Sequence, residues 1–234
     1  LNAISCHAVF PGVFARKGFN VVIGNPPYGL SRDEQIGKQE NEKLKAVYTE
    51  FRHGKINKYL AFMARGFDLL SPGGVISFIV PNAWLGIDGG LAIRKMLLGS
   101  GALRKVIAFD CQVFSGVSVE AVIFEALKGG TCDSVSVHHA TTADVIPSRP
   151  TFEIPIAKCL ARPSSTIPLI WSPEAEETLE IIRHNSIRLG EKNSGFTPLI
   201  ALQAYAQGKG TPPQDAQASR NRIFHTRSVE NSET

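Results

Sequence analysis

The sequence predicts an α/β fold, in which a sheet of parallel strands carries helices on its faces and an antiparallel edge hairpin. Short β-branched apolar segments alternate with segments whose apolar residues recur at helical spacing, as is typical of strand–helix–strand units. The segment 75–80 lacks a clean polar–apolar alternation, which indicates a central strand buried on both faces. A short loop separates 103–109 from 119–127 and favours an antiparallel hairpin there.

The first predicted strand, 19–24, is β-branched at its centre and ends in a glycine. Two consecutive prolines follow and cannot continue a strand ladder, so 25–28 is predicted to be a rigid loop. The polar segment 29–56 carries charges of both signs and predicts a mobile surface loop with some helix. Apolar residues at helical spacing then predict a helix over 59–70, which the Ser-Pro-Gly-Gly sequence at 71–74 ends and turns.

The later elements continue the alternation. In chain order they are the strand 75–80, a helix over 88–99, the strands 103–109 and 119–127, a further strand at 135–139, and a helix from Ser172 to about Arg183. This last helix has a capping serine, a proline in its first turn and early acidic residues. Parallel α/β sheets bind ligands at the carboxyl ends of their strands, so the loops 25–28 and 81–85 are predicted to lie at a ligand-binding edge.

Composition excludes several classes of protein. The 234 residues are 43% apolar and 20% charged, which allows a sizeable core and excludes collagen-like, mucin-like and wholly disordered chains. No apolar run approaches the roughly 18 residues of a membrane span. The four scattered cysteines lack a Cys-x-x-Cys pair, and the net charge of +4 permits a polyanionic partner without requiring one. We therefore expect a reduced, cytoplasmic protein without a metal site.

Asn25-Pro26-Pro27-Tyr28 is the strongest functional signal, because these residues suit an amino group on a planar base. A nitrogen whose lone pair is delocalised into a ring or carbonyl becomes nucleophilic only when acceptors hold its N–H groups. Asn25 offers a neutral side-chain oxygen, and Pro26 offers a carbonyl whose direction two fixed φ angles define. Tyr28 offers a flat face, and a stacked base is worth about 1–3 kcal/mol. A purely structural proline turn is the alternative interpretation.

The segment 18–28 resembles the catalytic segment of adenine-N6 DNA methyltransferases in the Eco57I- and TaqI-like restriction–modification group. The resemblance covers most of the chain and is weakest over 129–171. It also includes a helix and strand within 58–85, a hairpin motif within 113–123, and residues that resemble the start of a DNA-recognition region, namely Leu202–Tyr205, Gly208–Gly210, Pro212–Gln214 and Arg222–His225.

This resemblance implies transfer of a methyl group from S-adenosyl-L-methionine to adenine N6, in a restriction–modification or phage-defence system. The target adenine would be flipped out of double-stranded DNA, and unstacking it costs a few kcal/mol. Asn25 and the Pro26 carbonyl would hold the amino group, Tyr28 would stack on the base, and Phe114 would pack against it from the hairpin. Pro27 is the one residue of this chain implied near the cofactor. No strong general base is needed, since the methylated ammonium loses its proton easily.

The resemblance also implies that the C-terminal region contacts DNA, for which backbone charges supply much of the affinity. The candidate DNA-binding residues are Tyr205, Lys209, Gln214, Arg222 and His225. A flexible tail with ordinary solubilising charges is the alternative interpretation. A fused or separate restriction nuclease would lie outside this chain.

The chain departs from the family pattern upstream of Asn25, where no Phe-x-Gly-x-Gly cofactor loop and no acid-bearing second strand occur. We therefore expect an internal piece of a longer enzyme, half of a split one, or a decayed remnant. Residues 1–145 would be the C-terminal part of a partial Rossmann-like methyltransferase domain, 146–195 a linker with a helix, and 196–234 the incomplete start of a target-recognition domain.

Two other functions stay open. A protein glutamine-N5 methyltransferase shares an Asn-Pro-Pro-Tyr loop, because an amide nitrogen also has a delocalised lone pair. The long polar insertion at 29–56 argues against that class. The missing cofactor loop favours the second alternative, an inactive, truncated DNA-binding remnant.

Other polar residues carry weaker signals. His138 and His139 fall on a predicted strand, where adjacent side chains point to opposite faces, so they predict no two-histidine metal site. Asp110 is predicted to be a strand-end residue without a catalytic role. Trp84 and Trp171 are predicted to serve packing.

Overall fold

A computed structural model describes residues 5–28, 34–47, 57–114 and 120–187. The chain divides into two units, Leu1–Glu176 and Glu177–Thr234. The first unit contains a six-stranded sheet. In the second unit, the described residues carry the last turns of one helix.

The strands are β1 (Phe19–Gly24), β2 (Leu70–Pro81), β3 (Leu103–Phe109), β4 (Ala121–Leu127), β5 (Ser134–Ala140) and β6 (Phe152–Pro155). The helices are α1 (Cys6–Val9), α2 (Pro11–Phe14), α3 (Glu34–Val47), α4 (Lys58–Asp68), α5 (Leu91–Gly99), α6 (Ile156–Ala161) and α7 (Pro173–His184), with short 3₁₀ turns at Asn82–Leu85, Asp88–Gly90 and Pro163–Ser165. No described helix combines the length and the apolar character that crossing a membrane requires.

The spatial strand order is β1-β2-β4-β3-β5-β6. β1 is parallel to β2 and β3 is parallel to β5, whereas β4 is antiparallel to both of its neighbours and β6 is antiparallel to β5. The predicted α/β sheet with parallel strands and an antiparallel hairpin is therefore confirmed. The hairpin β3–β4 is internal instead of lying at the edge, because β4 inserts beside β2 and β5 pairs with the other side of β3.

The predicted turn at 71–74 is instead part of β2. Gly73 has a φ of +78°, and the pairing of β1 with β2 shifts register between Phe19 and Val21. The Ser71 hydroxyl donates to the Phe19 carbonyl and to the Asn20 side chain, both at 3.2 Å. The Ser-Pro-Gly-Gly sequence therefore produces an irregular start to a long strand, because its bends are absorbed by contacts with β1.

Helix α4 packs closely on β2 through a glycine. A Cβ atom at Gly66 would lie 2.7 Å from Ile76 Cδ1, so a larger residue at this position requires the Ile76 side chain to shift. At the C-terminus of α4, Lys128 Nζ donates to the carbonyls of Asp68 and Leu70 at 2.9 and 2.8 Å. A cation at this end also complements the helix dipole.

The core lies between the sheet and helices α4, α5 and α6. Its largest fully buried side chains are Trp84, Arg94, Tyr59, Phe124, Leu60, Met63, Leu70, Ile76, Ile93, Leu97 and Leu98. Trp84 thus packs in the core as predicted, and its ring lies 5.6 Å from the ring of Phe124. Strand β1 lies at one edge of the sheet, where among the described strands it pairs only with β2. Its apolar residues Val21 and Ile23 are 61% and 79% exposed.

The irregular segment 131–170 contributes more structure than its sequence predicts. The strand predicted at 135–139 is β5. Beyond it, β6, α6 and the Pro163–Ser165 turn follow, and they bury Ile154, Ile156, Cys159 and Ile167 against the core. The helix predicted from Ser172 is α7, and the Ser172 hydroxyl accepts a hydrogen bond from the Ala175 amide at 3.1 Å.

A fully buried arginine ties these segments together. Arg94, on α5, donates to the carbonyls of Trp84, Ile87 and Ser164, at 2.8 Å to Ile87 and at 3.1 and 2.8 Å to Ser164. A Cβ atom at Gly90 would lie 2.7 Å from Arg94 Nη1, so glycine leaves room for the guanidinium. Burial lowers the pKa of Arg94 below its usual value, and the charge of Asp88 offsets only part of this shift.

We predict that Arg94→Met lowers the free energy of unfolding by about 3 kcal/mol, because methionine cannot donate the hydrogen bonds that Arg94 makes to the carbonyls of Trp84, Ile87 and Ser164. Urea denaturation measures the change. Lys95→Met, at the next and exposed position of α5, is the matched control and should change stability by less than about 0.5 kcal/mol. Equal stability of the two variants would contradict a stabilising role for the Arg94 contacts.

Candidate active site

The loop Asn25–Tyr28 begins where β1 ends, at the carboxyl edge of the sheet. Asn25 and Pro27 are exposed, Pro26 is buried and Tyr28 is half-buried. The pairing of β1 with β2 sets the position of the loop, because Gly24, the last residue of β1, is opposite Phe78 of β2. A buried proline next to an exposed asparagine anchors the backbone while leaving the Asn25 side chain accessible to a ligand.

Tyr28 and Phe114, predicted to contact the same base, are in contact with each other. Their ring centroids are 6.3 Å apart and their planes are inclined at 66°, in an edge-to-face arrangement. The Tyr28 hydroxyl is buried and makes no hydrogen bond within the described residues. Burial raises the pKa of Tyr28, which favours the neutral phenol. The accessible chemistry of this residue is therefore that of an aromatic ring.

Beside this aromatic pair, an open cleft of about 650 Å³ lies at the same edge of the sheet. Its polar lining residues are Asn82, Asp110, Gln112, Glu120 and His139, and its apolar ones include Phe109, Leu169 and the exposed Ile170. The lining comes from the carboxyl ends of β2, β3 and β5 and from the amino end of β4, because all four meet at this edge. The Asn82 side-chain amide donates to Glu120 Oε2 at 2.6 Å.

His139 forms the central polar contact of the cleft. Its Nδ1 lies 3.0 Å from Asp110 Oδ1, and its Nε2 lies 2.7 Å from the Leu169 carbonyl. Burial lowers the pKa of His139, but its contacts with Asp110 and Leu169 outweigh burial and raise the pKa above the usual value. The adjacent His138 is buried and has a different partner, the Pro147 carbonyl at 3.0 Å from Nδ1.

The pairing of Asp110 with His139 was not predicted from the sequence. Each residue lies at the carboxyl end of a strand, and β3 and β5 are parallel neighbours. The sequence does show two ionisable residues at the ends of predicted strands. Their proximity, however, follows only once β3 and β5 are known to be neighbours. Within the described residues, no three His, Cys, Asp or Glu side chains converge as metal ligands do. The DNA-binding candidates Tyr205, Lys209, Gln214, Arg222 and His225 lie outside the described residues.

Comparison with known proteins finds similarity to type II methyltransferases. Type II methyltransferase M.TthHB8I of Thermus thermophilus is 28% identical over 195 residues, which cover 80% of this chain and 39% of that protein. Type II methyltransferase M.HincII of Haemophilus influenzae is 26% identical over 163 residues, covering 68% and 32%. Type II restriction enzyme and methyltransferase RM.Eco57I of Escherichia coli is 32% identical over 102 residues, covering 41% and 10%.

The chain thus spans about a third of the length of the two methyltransferases M.TthHB8I and M.HincII. The model of the Eco57I restriction-modification methylase family matches residues 1–114. This range includes the loop Asn25–Tyr28 and extends to Phe114. The segment 1–114, with the aromatic pair and the exposed asparagine, is therefore similar to the Eco57I restriction-modification methylase family.

Proposed function

We propose that this chain supplies the acceptor-binding loop of a DNA methyltransferase that methylates adenine N6 in double-stranded DNA. The observation that carries the proposal is the loop Asn25–Tyr28 at the carboxyl edge of the sheet, with Phe114 brought against Tyr28 from the β3–β4 connection. The similarity to type II methyltransferases supports the same reaction class. We place this activity in a cytoplasmic restriction–modification or phage-defence system.

The proposed chemistry depends on acceptors instead of on a base. The amino group of adenine is a weak nucleophile because its lone pair is delocalised into the ring. The Asn25 side-chain oxygen and the Pro26 carbonyl would each accept one N–H, which leaves the lone pair on nitrogen available for attack. A neutral asparagine suffices, because the methylated nitrogen is acidic enough to release its extra proton to water.

The aromatic pair would bind the flipped base. In the structure the Phe114 and Tyr28 rings contact each other edge to face, so an incoming adenine would replace this contact by stacking on Tyr28. Phe114 would then contact the opposite side of the base. Aromatic stacking offsets part of the cost of removing a base from the duplex.

S-adenosyl-L-methionine is the proposed methyl donor, and it supplies the electrophilic methyl group when bound. The described residues do not by themselves fit it, because no Phe-x-Gly-x-Gly sequence of the kind expected for a cofactor loop occurs in this chain. Pro27 is the one residue that we propose near the cofactor. The edge of β1 that faces away from β2, where no described strand pairs with it, is where we propose that cofactor-binding strands add to the sheet.

The remaining proposed partner contacts lie in the C-terminal region. We propose that Lys209 and Arg222 contact DNA phosphates and that Tyr205, Gln214 and His225 face the target site. A restriction nuclease, fused or separate, would act on the same DNA outside this chain, as the combined activities in the name of RM.Eco57I suggest.

We predict that Asn25→Ala, made in the longest reading frame that encodes this chain, lowers the methylation rate of unmethylated genomic DNA by about 100-fold. That is the scale for losing one preorganised hydrogen-bond partner of a transition state. Incorporation of tritium from labelled S-adenosyl-L-methionine measures the rate. Asn185→Ala, on exposed surface, is the control. Full activity of Asn25→Ala would refute the proposed role of Asn25. Tritium found in protein instead of DNA would favour the glutamine-N5 methyltransferase, and no incorporation by the unmodified protein or any variant would favour an inactive remnant.

A second prediction separates the ring of Tyr28 from its hydroxyl. Tyr28→Phe should keep kcat/KM for DNA within about twofold, because the hydroxyl has no hydrogen-bond partner among the described residues. Tyr28→Ala should lower kcat/KM by an amount equivalent to about 1–3 kcal/mol, the value of one stacked base. The same tritium assay reports both. Equal losses in Tyr28→Phe and Tyr28→Ala would mean that the hydroxyl, and not the ring, carries the function.

A further inference from the structure

We propose that His139 is a positioning residue, which in its imidazolium form fixes the start of the β3–β4 connection and so holds Phe114 against Tyr28. The contacts of His139 stand independently of any reaction. The inference rests on the proposed function only for the role of Phe114 as a base contact.

Both ring nitrogens of His139 face groups that can only accept hydrogen bonds. Nδ1 faces the Asp110 carboxylate, at 3.0 and 3.3 Å from its two oxygens, and Nε2 faces the Leu169 carbonyl at 2.7 Å. A neutral imidazole carries one N–H and can satisfy one of these partners. The imidazolium carries two and satisfies both, so this geometry selects the protonated ring.

The same contacts lead directly to Phe114. The Asp110 amide donates to the Ala140 carbonyl at 2.9 Å, and its carboxylate pairs with His139, so both its main chain and its side chain are tied to β5. Two residues later, the Gln112 side-chain amide donates to the Phe114 carbonyl at 3.0 Å. Asp110 therefore anchors the start of the short segment 110–114 to β5, the Gln112 contact closes a local turn at its end, and Phe114 contacts Tyr28 from that end.

Few other ionisable groups face His139. Within the described part of the chain, those that line its cleft are Asp110, Cys111 and Glu120. Glu120 is engaged by Asn82, whose side chain donates at 2.6 Å and whose amide donates to the Glu120 carbonyl at 2.8 Å. Asp110 is thus the charged partner in direct contact with the His139 ring.

This arrangement makes the segment 110–114 sensitive to pH. Deprotonation of His139 removes one N–H and leaves a ring nitrogen lone pair facing an acceptor, which loosens either the Asp110 contact or the Leu169 contact. The pKa of His139 is raised on folding, so the stabilisation is complete below the unfolded pKa of about 6.5. It is lost as pH rises through the higher folded pKa.

Hydrogen exchange by mass spectrometry tests the proposal. Exchange rates across a pH series are divided by the intrinsic chemical rates to give the protection of 110–114. In the unmodified protein, protection should fall by about tenfold as pH rises through the pKa of His139. In His139→Gln, which can donate to one partner only, protection should be low at every pH and its profile flat. Protection of β2 and β4 should be unchanged.

His138→Gln is the matched control, because His138 is the adjacent residue on the same strand with a separate partner. It should keep the full pH profile of 110–114. The proposal is overturned by a flat profile in the unmodified protein, by an unchanged profile in His139→Gln, or by equal losses in both variants. Should His139→Gln fail to fold, histidine ¹⁵N NMR of the unmodified protein decides: His139 must carry protons on both ring nitrogens at pH 6.5 and titrate above that pH.

These measurements need neither DNA nor a methyl donor. A pH-dependent segment 110–114 without any methylation would leave the positioning role intact and refute the proposed function. DNA methylation by a protein whose 110–114 exchange profile is flat would support the proposed function and refute the positioning role of His139.

Discussion

The parallel pairing of β1 with β2 is the constraint on which the candidate site depends. Because β2 is paired on both sides, by β1 and by β4, it fixes at one edge the end of β1, its own end and the start of β4. Gly24 is opposite Phe78, and a Cβ atom at Gly24 would lie 3.4 Å from that ring. The start of the loop at Asn25 is therefore placed by the sheet register, and the buried Pro26 and the Tyr28–Phe114 contact hold the residues that follow.

The irregular segments at this edge are held by cations that donate to backbone carbonyls. Chain outside helices and strands leaves carbonyls without ladder partners, and buried ones require a donor. Arg94 donates to the carbonyls of the 3₁₀ turns after β2 and of Ser164. His139 serves Leu169 and adds the carboxylate of Asp110. The rigidity of the edge thus comes from a few buried or half-buried charges, each joining segments distant in sequence.

The elements that local interactions determine could be predicted from the sequence. The strand β1, the proline loop after it, the hairpin β3–β4 and the capped helix α7 follow from apolar runs, fixed φ angles and a capping serine, and the segment Asn25–Tyr28 carried its own chemical signal. Strand order was not predictable in this way, because the insertion of β4 beside β2 is decided by core packing. The contact of His139 with Asp110 depends on that order. Strand β6 escaped prediction because four residues among prolines show no period.

The charges at this edge of the sheet bear on whether it would bind a base or a phosphate backbone. Carboxylates repel DNA phosphates, yet Asp110 and Glu120 line the cleft beside the aromatic pair. The imidazolium of His139 neutralises Asp110, and the Asn82 amide shields part of Glu120. With Asp110 paired and Glu120 still negatively charged, this edge suits the proposed uncharged base and not a phosphate backbone. Phosphate binding requires positive charge from elsewhere, and the basic C-terminal region supplies a candidate source in Lys209 and Arg222.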